Sequence, residues 1–358
     1  MPCGLYIAIS GEDKILTFAI NSETGKLTLQ GETPVTGRPA TMVMAPDQQF
    51  IYIGRKDAHA ISIYRRNTDA GKLSHVSTAP VEFEPDYLAT DRNGRFLFST
   101  YFFIGKVAIH AIGSGGIIDP VPVQIIDTVR GVHSVQADPS NRFVFFPHTA
   151  GKGPNIILQF KFDAATGRLT PNTPDRVRPD EGVGPRHCCF HPKLNVFYCS
   201  NESGSSVSAY HIDPTAGTLT ALQTVSTLPD GYQQKNACAD IQISPSGEFV
   251  YVSNRGHNSL AVFSVDKLTG RLTPTGHAPT EPEVRSFSLT PDGNFLYAAG
   301  LESGRLASYR VNREIGILTP LDTQFISKES WGGISHRLRL IKSKQHVVIL
   351  TPPLPGLR

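Results

Sequence analysis

A unit of roughly 50 residues recurs along this chain of 358 residues, and that recurrence restricts the fold more than any other feature. Each copy reads as an apolar strand, a Pro/Gly turn, an aromatic strand, a polar turn, another apolar strand and a TGxL-like turn. The clearest copies are Ile243 to Leu272 (ISPSGEFVYVSNRGHNSLAVFSVDKLTGRL) and Leu289 to Leu318, with Phe190 to Leu219 a third. Weaker copies begin at Ala45, Thr90 and Ala137, and Leu5 to Leu27 is a seventh that lacks its first strand. The turn anchors Pro46, Arg92, Pro139, Pro192, Pro245 and Pro291 lie 46, 47, 53, 53 and 46 residues apart.

The strand segments alternate apolar and polar residues, are rich in β-branched and aromatic types, and end at Gly, Pro, Asn or Asp. No segment holds a 3.6-residue period over ten or more positions. Four short strands per unit, repeated seven times, predict an all-β fold: a seven-bladed β-propeller of four-stranded antiparallel blades. β-Sandwiches do not repeat at this period. The whole chain, 1–358, is expected to form one domain, with 330–358 as an atypical C-terminal segment. Because the chain opens in mid-unit, the C-terminus should supply the missing strand, and Val347 to Leu350 is the candidate.

Composition bounds the function. Thirty-four basic residues against thirty-one acidic ones give a net charge of +3, so no broad basic face suits nucleic acid. The N-terminal ten residues lack a basic region and a long apolar run, and no stretch is long enough for a membrane span. The five cysteines, Cys3, Cys188, Cys189, Cys199 and Cys238, show no CxxC pair or zinc spacing. They are expected to be reduced thiols in a cytoplasmic protein, with Cys188 and Cys189 as small core residues.

Counting from the anchors locates a site. In an antiparallel blade the start of the first strand and the end of the second lie at one end. Six residues before the anchor the copies read Ala40, Asp86, His133, Arg186, Ala239 and Arg285; five before, they read Thr41, Tyr87, Ser134, His187, Asp240 and Ser286. Ten after, they read Lys56, Phe102, Thr149, Glu202, Arg255 and Leu301; nine after, the set includes Asn201 and Asn254. For a chain with only 18% charged residues, this is a concentration of charge around one channel mouth. Such polar groups are costly to bury unless they meet partners or a ligand.

Arg186, Arg255 and Arg285 suit an anion or a developing oxyanion. His133 is a candidate proton shuttle and Glu202 a candidate acid or base. His187, Asn201, Asp240 and Asn254 complete a substrate-binding set. An alternative is that the cluster only satisfies itself as an inter-blade network. Lys56, Arg55 and Arg38 would add positive potential at the same mouth. A metal is not expected, because the arginines oppose it. No GxSxG marks a serine nucleophile, and the GSGG at Gly113 to Gly116 precedes a strand and reads as a turn. The PPLP at Pro352 to Pro355 reads as a terminal tail.

GPRHCCFHP at Gly184 to Pro192, the NE of Asn201 and Glu202, the NR of Asn254 and Arg255, and GVHSV at Gly131 to Val135 together resemble the seven-bladed β-propeller lactonase family. That family includes propeller-type 6-phosphogluconolactonases and fungal 3-carboxy-cis,cis-muconate lactonising enzymes. The resemblance runs from Leu5 to about Leu321 and departs at SWGGISHRLRL, which stands where the family has a Gly-Pro followed by a Trp strand. It implies a cofactor-free, metal-free site in which His133, Arg186, Glu202 and Arg255 match the muconate-enzyme residues.

The function this implies is hydrolysis of a small anionic sugar lactone, 6-phosphogluconolactone foremost, by a monomer or homodimer. The alternatives are a carboxymuconate-type lactonising cycloisomerase and a non-catalytic propeller that binds a protein or peptide.

Overall fold

The computed structural model describes residues 4–67, 72–151, 153–327 and 345–349, the last as backbone only. They form seven four-stranded antiparallel sheets arranged as the blades of a propeller. From the innermost strand outwards, blade 1 is Pro39–Met44, Phe50–Arg55, Ala60–Arg66 and Leu73–Pro80. Blade 2 is Tyr87–Thr90, Phe96–Tyr101, Lys106–Ala111 and Gln124–Asp127. Blade 3 is Gln136–Ala137, Phe143–His148, Ile156–Asp163 and Arg168–Val177. Blade 4 is Pro185–Phe190, Val196–Asn201, Ser206–Ile212 and Leu219–Ser226. Blade 5 is Cys238–Ile243, Phe249–Asn254, Ser259–Val265 and Leu272–Pro279. Blade 6 is Val284–Leu289, Phe295–Gly300, Arg305–Val311 and Leu318–Phe325.

Blade 7 joins the two ends of the chain. Gln345–Ile349 is its innermost strand and pairs antiparallel with Gly4–Ile9, bringing Leu5 opposite Ile349 and Ile9 opposite Gln345. Lys14–Ile20 and Leu27–Pro34 complete it. The C-terminal segment therefore closes the ring despite its unusual sequence, because backbone pairing asks little of side-chain identity. Of the expected strand Val347 to Leu350, Leu350 lies outside the described residues, as do Trp331 and the PPLP tail.

The repeat has a packing explanation. In blades 3, 5 and 6 the second strand begins with a phenylalanine that covers the glycine of the next blade's turn. Phe143 covers Gly217, Phe249 covers Gly316 and Phe295 covers Gly25, and all three glycines have a positive φ. Two residues on, tyrosine hydroxyls donate to the same turns: Tyr198 to the Gly270 carbonyl (2.7 Å), Tyr251 to Gly316 (3.1 Å) and Tyr297 to Gly25 (2.7 Å). The last bond ties blade 6 to blade 7.

The alternation read from sequence survives only in the outermost strands, such as Leu27–Pro34. The second strands Phe96–Tyr101, Val196–Asn201 and Phe249–Asn254 are buried at every residue. Neighbouring blades cover both of their faces, as in any doubly covered sheet.

The cysteine expectation is corrected. Cys188 and Cys199 form a disulfide, with Cα atoms 4.2 Å apart. They sit directly opposite each other on the first two strands of blade 4, the closest cross-strand placement an antiparallel pair offers. Cys189 and Cys238 are free thiols, and Cys3 lies outside the described residues. Cys188 sits in a buried core cluster as expected, while Cys189 is partly buried, packed against the core and lining the central cavity.

Candidate active site

The strand ends meet as the antiparallel argument requires: Pro185 opposes Asn201, Cys238 opposes Asn254 and Val284 opposes Gly300. In each pair the register then slips, between Pro185 and Cys188, between Cys238 and Ile241 and between Val284 and Ser286. These bulges lie at the channel mouth. A regular strand sends consecutive residues to opposite faces, whereas a bulge re-aims them. Both Arg186 and His187 are thereby brought to the site, and in blade 5 so is Asp240.

Arg186, Glu202, Arg255 and Arg285 form one electrostatic cluster across blades 4 to 6. Glu202 follows the second strand of blade 4, its N–H donating to the Gly184 carbonyl (2.7 Å). One carboxylate oxygen accepts from Arg255 Nη2 at 2.6 Å and the other lies 3.6 Å from Arg186 Nε. Arg255 also donates from Nε to Ala237 O (3.3 Å) and from Nη2 to Cys238 O (3.0 Å). Arg186, 5% exposed, donates from Nη1 to Ala239 O (2.8 Å), and its buried Nε makes no hydrogen bond among the described residues. Arg285 is held by Glu283, with Nη2 at 2.9 Å. Glu283 lies outside the superposed repeat positions, so the sequence reading did not reach it.

The charge states follow. Burial lowers Arg186 to about 9, with Glu202 opposing and Arg255 and Arg285 assisting, and it stays cationic at neutral pH. Arg285 is lowered by burial and then by Arg255. Burial alone would raise the Glu202 carboxyl, but Arg186, Arg255 and Arg285 outweigh it and hold it below its usual value. At neutral pH Glu202 is thus a carboxylate, able to accept a proton and not to donate one.

His187 and His133 lie beside this cluster. His187 Nδ1 is 3.0 Å from Asp240 Oδ1. Its ring meets those of His133 and Tyr87 edge-on, at centroid distances of 5.1 and 5.2 Å. Burial, followed by Arg186, keeps His187 below the usual imidazole value against the pull of Asp240, so it is neutral at pH 7. His133 precedes the two-residue inner strand of blade 3, its N–H donating to Pro147 O (3.0 Å), and Phe102 packs on it at 5.5 Å. Beyond His187 the channel opens into a cavity of about 650 Å³, lined among others by Tyr87, Gln136, Cys189, Asp240 and Gln242.

Other expected members are placed differently. Asn201 and Asn254 are fully buried. Asn201 donates to the hydroxyls of Ser206 (2.9 Å) and Ser208 (2.8 Å), and Asn254 to Thr227 O (2.7 Å). They stitch strands together, because each neighbours a site residue and points to the other face. Lys56 is engaged by Glu84 and Asp86 and only 3% exposed, and Arg38 pairs with Asp57 and Glu84. Arg55 holds Thr36. The positive potential therefore comes from blades 4 to 6 and not from blade 1. Among the described residues no three His, Cys, Asp or Glu side chains converge as a metal ion would need, and no helix is long and apolar enough to cross a membrane.

The family model for a lactonase with a 7-bladed beta-propeller matches residues 4–84 and 81–331. A 6-phosphogluconolactonase of Pectobacterium carotovorum subsp. carotovorum (strain PC1) is 36% identical over 286 residues, covering 80% of this chain and 84% of the relative. A 6-phosphogluconolactonase of Enterobacter sp. (strain 638) is 33% identical over 288 residues, covering 80% and 84%. The solved structure of the Pseudomonas aeruginosa periplasmic gluconolactonase has a TM-score of 0.84 at 23% identity, covering 92% of this chain and 98% of that one. At that identity the likeness speaks for the fold.

Proposed function

This chain belongs to the seven-bladed β-propeller lactonase family, and we propose that it hydrolyses a small anionic sugar lactone, foremost 6-phosphogluconolactone. The observation that carries this reading is the trio of guanidiniums around ionised Glu202 at one channel mouth. The three arginines face the carboxyls of Glu202, Glu283 and Asp240, so an anionic group is held by directed guanidinium donors and not by a surplus of charge. The relatives named 6-phosphogluconolactonase support the choice of lactone.

In this reading Arg285 and Arg255 hold the anionic group of the substrate. Arg186, whose Nε lacks a hydrogen-bond acceptor among the described residues, stabilises the oxyanion that forms at the lactone carbonyl. His133 takes a proton from the attacking water and returns it to the ring oxygen as the C–O bond breaks. Glu202, already a carboxylate, does not protonate the leaving alcohol. It keeps Arg186 and Arg255 in register. His187 and Asp240 lie beside His133, with Asp240 on His187 Nδ1 and the His187 ring against that of His133.

A cytoplasmic location, expected from reduced thiols, loses that support with the Cys188–Cys199 pairing. Thiol counting in protein from each cell fraction would place it. The functional test is a lactone panel with 6-phosphogluconolactone and gluconolactone. Wild type should open the phosphorylated lactone well above the buffer rate, with His133→Ala and Arg186→Ala each at least 100-fold slower. Wild-type turnover no faster than buffer sinks the proposal.

A further inference from the structure

We propose that His187 and Asp240 are a positioning pair for His133, with Asp240 fixing the ring of His187 and that ring fixing His133. This rests on the proposed lactone hydrolysis for its kinetic consequence but not for its structural one.

Asp240 is itself held. Oδ1 accepts from the N–H of Ile241 at 3.0 Å, and Oδ2 accepts from the N–H of Phe287 in blade 6 at 3.4 Å. Oδ1 also meets His187 Nδ1, across the interface between blades 4 and 5. A carboxylate anchored by backbone donors and aimed at one imidazole nitrogen selects the tautomer and the ring plane of that imidazole. The other nitrogen, Nε2, is left as the lone-pair side of a neutral ring.

His187 passes that order on by packing. His133 lies between two rings, Phe102 at 5.5 Å and His187 at 5.1 Å, both edge-on. Tyr87, which also meets the His187 ring edge-on, is tied down by Gln136 Nε2 donating to its hydroxyl (3.2 Å). In the row of rings from Phe102 to Tyr87, Asp240 is the hydrogen-bonded anchor of the His187 ring. No other copy of the repeat carries such a pair at these positions, where Thr41, Tyr87, Ser134 and Ser286 stand. The arginines of the cluster bind elsewhere, so loss of the pair should leave substrate affinity largely intact. Misplacement of a proton-transfer group by about an ångström costs on the order of 100-fold in rate.

The test uses the full chain with isotopically labelled histidine, comparing wild type with Asp240→Ala and His187→Ala, after thermal melts confirm folding. The expected result is that the His133 ring resonances move or broaden in both variants. kcat should fall at least tenfold while KM stays within about threefold. In a His133→Ala background neither substitution should slow turnover further, because the path through His133 is already gone. If Asp240→Ala does not fold, Asp240→Asn, which keeps the volume, replaces it. Unchanged His133 resonances in folded variants overturn the proposal, as does an undiminished kcat loss in the His133→Ala background. A wild type without lactone turnover sinks the functional reading alone, since the resonances still decide the positioning role.

Discussion

Replacing Glu202 by Gln removes the one carboxylate shared by Arg186 and Arg255, at 3.6 and 2.6 Å, while keeping the side-chain volume. Arg186 and Arg255 are almost fully buried. Breaking a buried ion pair costs about 3–5 kcal/mol, but Glu202 is itself 28% exposed and partly screened, so about 2 kcal/mol is expected here. Since the folded-state carboxyl is held below its unfolded value of 4.5, this stabilisation is present above pH 4.5 and is lost as pH falls through the folded value. Urea unfolding of wild type and variant should therefore differ by about 2 kcal/mol at pH 7, with the gap closing in acid below pH 4.5.

The same change has an opposite effect on binding. The cluster gains one unit of positive charge, and a charge about 5 Å from a bound anion at an effective dielectric of about 20–40 is worth about 1.5–3 kcal/mol. Calorimetry should show 6-phosphogluconate bound at least tenfold more tightly by Glu202→Gln, while turnover falls because the arginines lose their register. Equal stability at pH 7 together with unchanged product affinity would refute the reasoning.

Four further outcomes check the architecture. Gly217 has φ +67°, and a Cβ there would stand 2.0 Å from the Phe143 ring; Gly217→Ala should cost about 2–4 kcal/mol in urea unfolding. Tyr297→Phe removes the hydroxyl bond to Gly25 between blades 6 and 7 and should cost about 1 kcal/mol, read as a lower melting temperature. The Cys188–Cys199 bridge closes a loop with a sequence separation of 11, so reduction or Cys199→Ser should remove about 3 kcal/mol on the loop-entropy account. Deleting residues 328–358 would strip Gly4–Ile9 of its inner partner, and size-exclusion chromatography should find aggregate instead of monodisperse protein.

Much of the fold was legible because its grammar is local and repeated. A bulky residue at the start of the second strand, a tyrosine two positions on, and a glycine in the following turn recur because each blade packs on the next in the same way. The position of the mouth was legible for the same reason, since strand pairing converts residue counts into location. Arg186, Glu202, Arg255 and Arg285 were reached by counting alone. The strand that closes the ring was harder, because its role rests on backbone pairing that leaves little trace in side chains.

What counting could not reach is direction. Asn201 and Glu202 are neighbours in sequence, yet one stitches strands inside the blade while the other faces the arginines. Arg186 and His187 are also neighbours, yet a bulge brings both to the site. Partner choice was equally hidden: Lys56 with Glu84 and Asp86, His187 with Asp240 from the next blade, Cys188 with Cys199. The repeating sequence by itself determined the number of blades, the antiparallel order of their strands and the end of the channel where charge gathers, because these depend on patterns within about 50 residues. Only the tertiary structure decided which of those charges meet and in which protonation state, because ion pairing, burial and orientation arise where side chains from separate blades share one small volume.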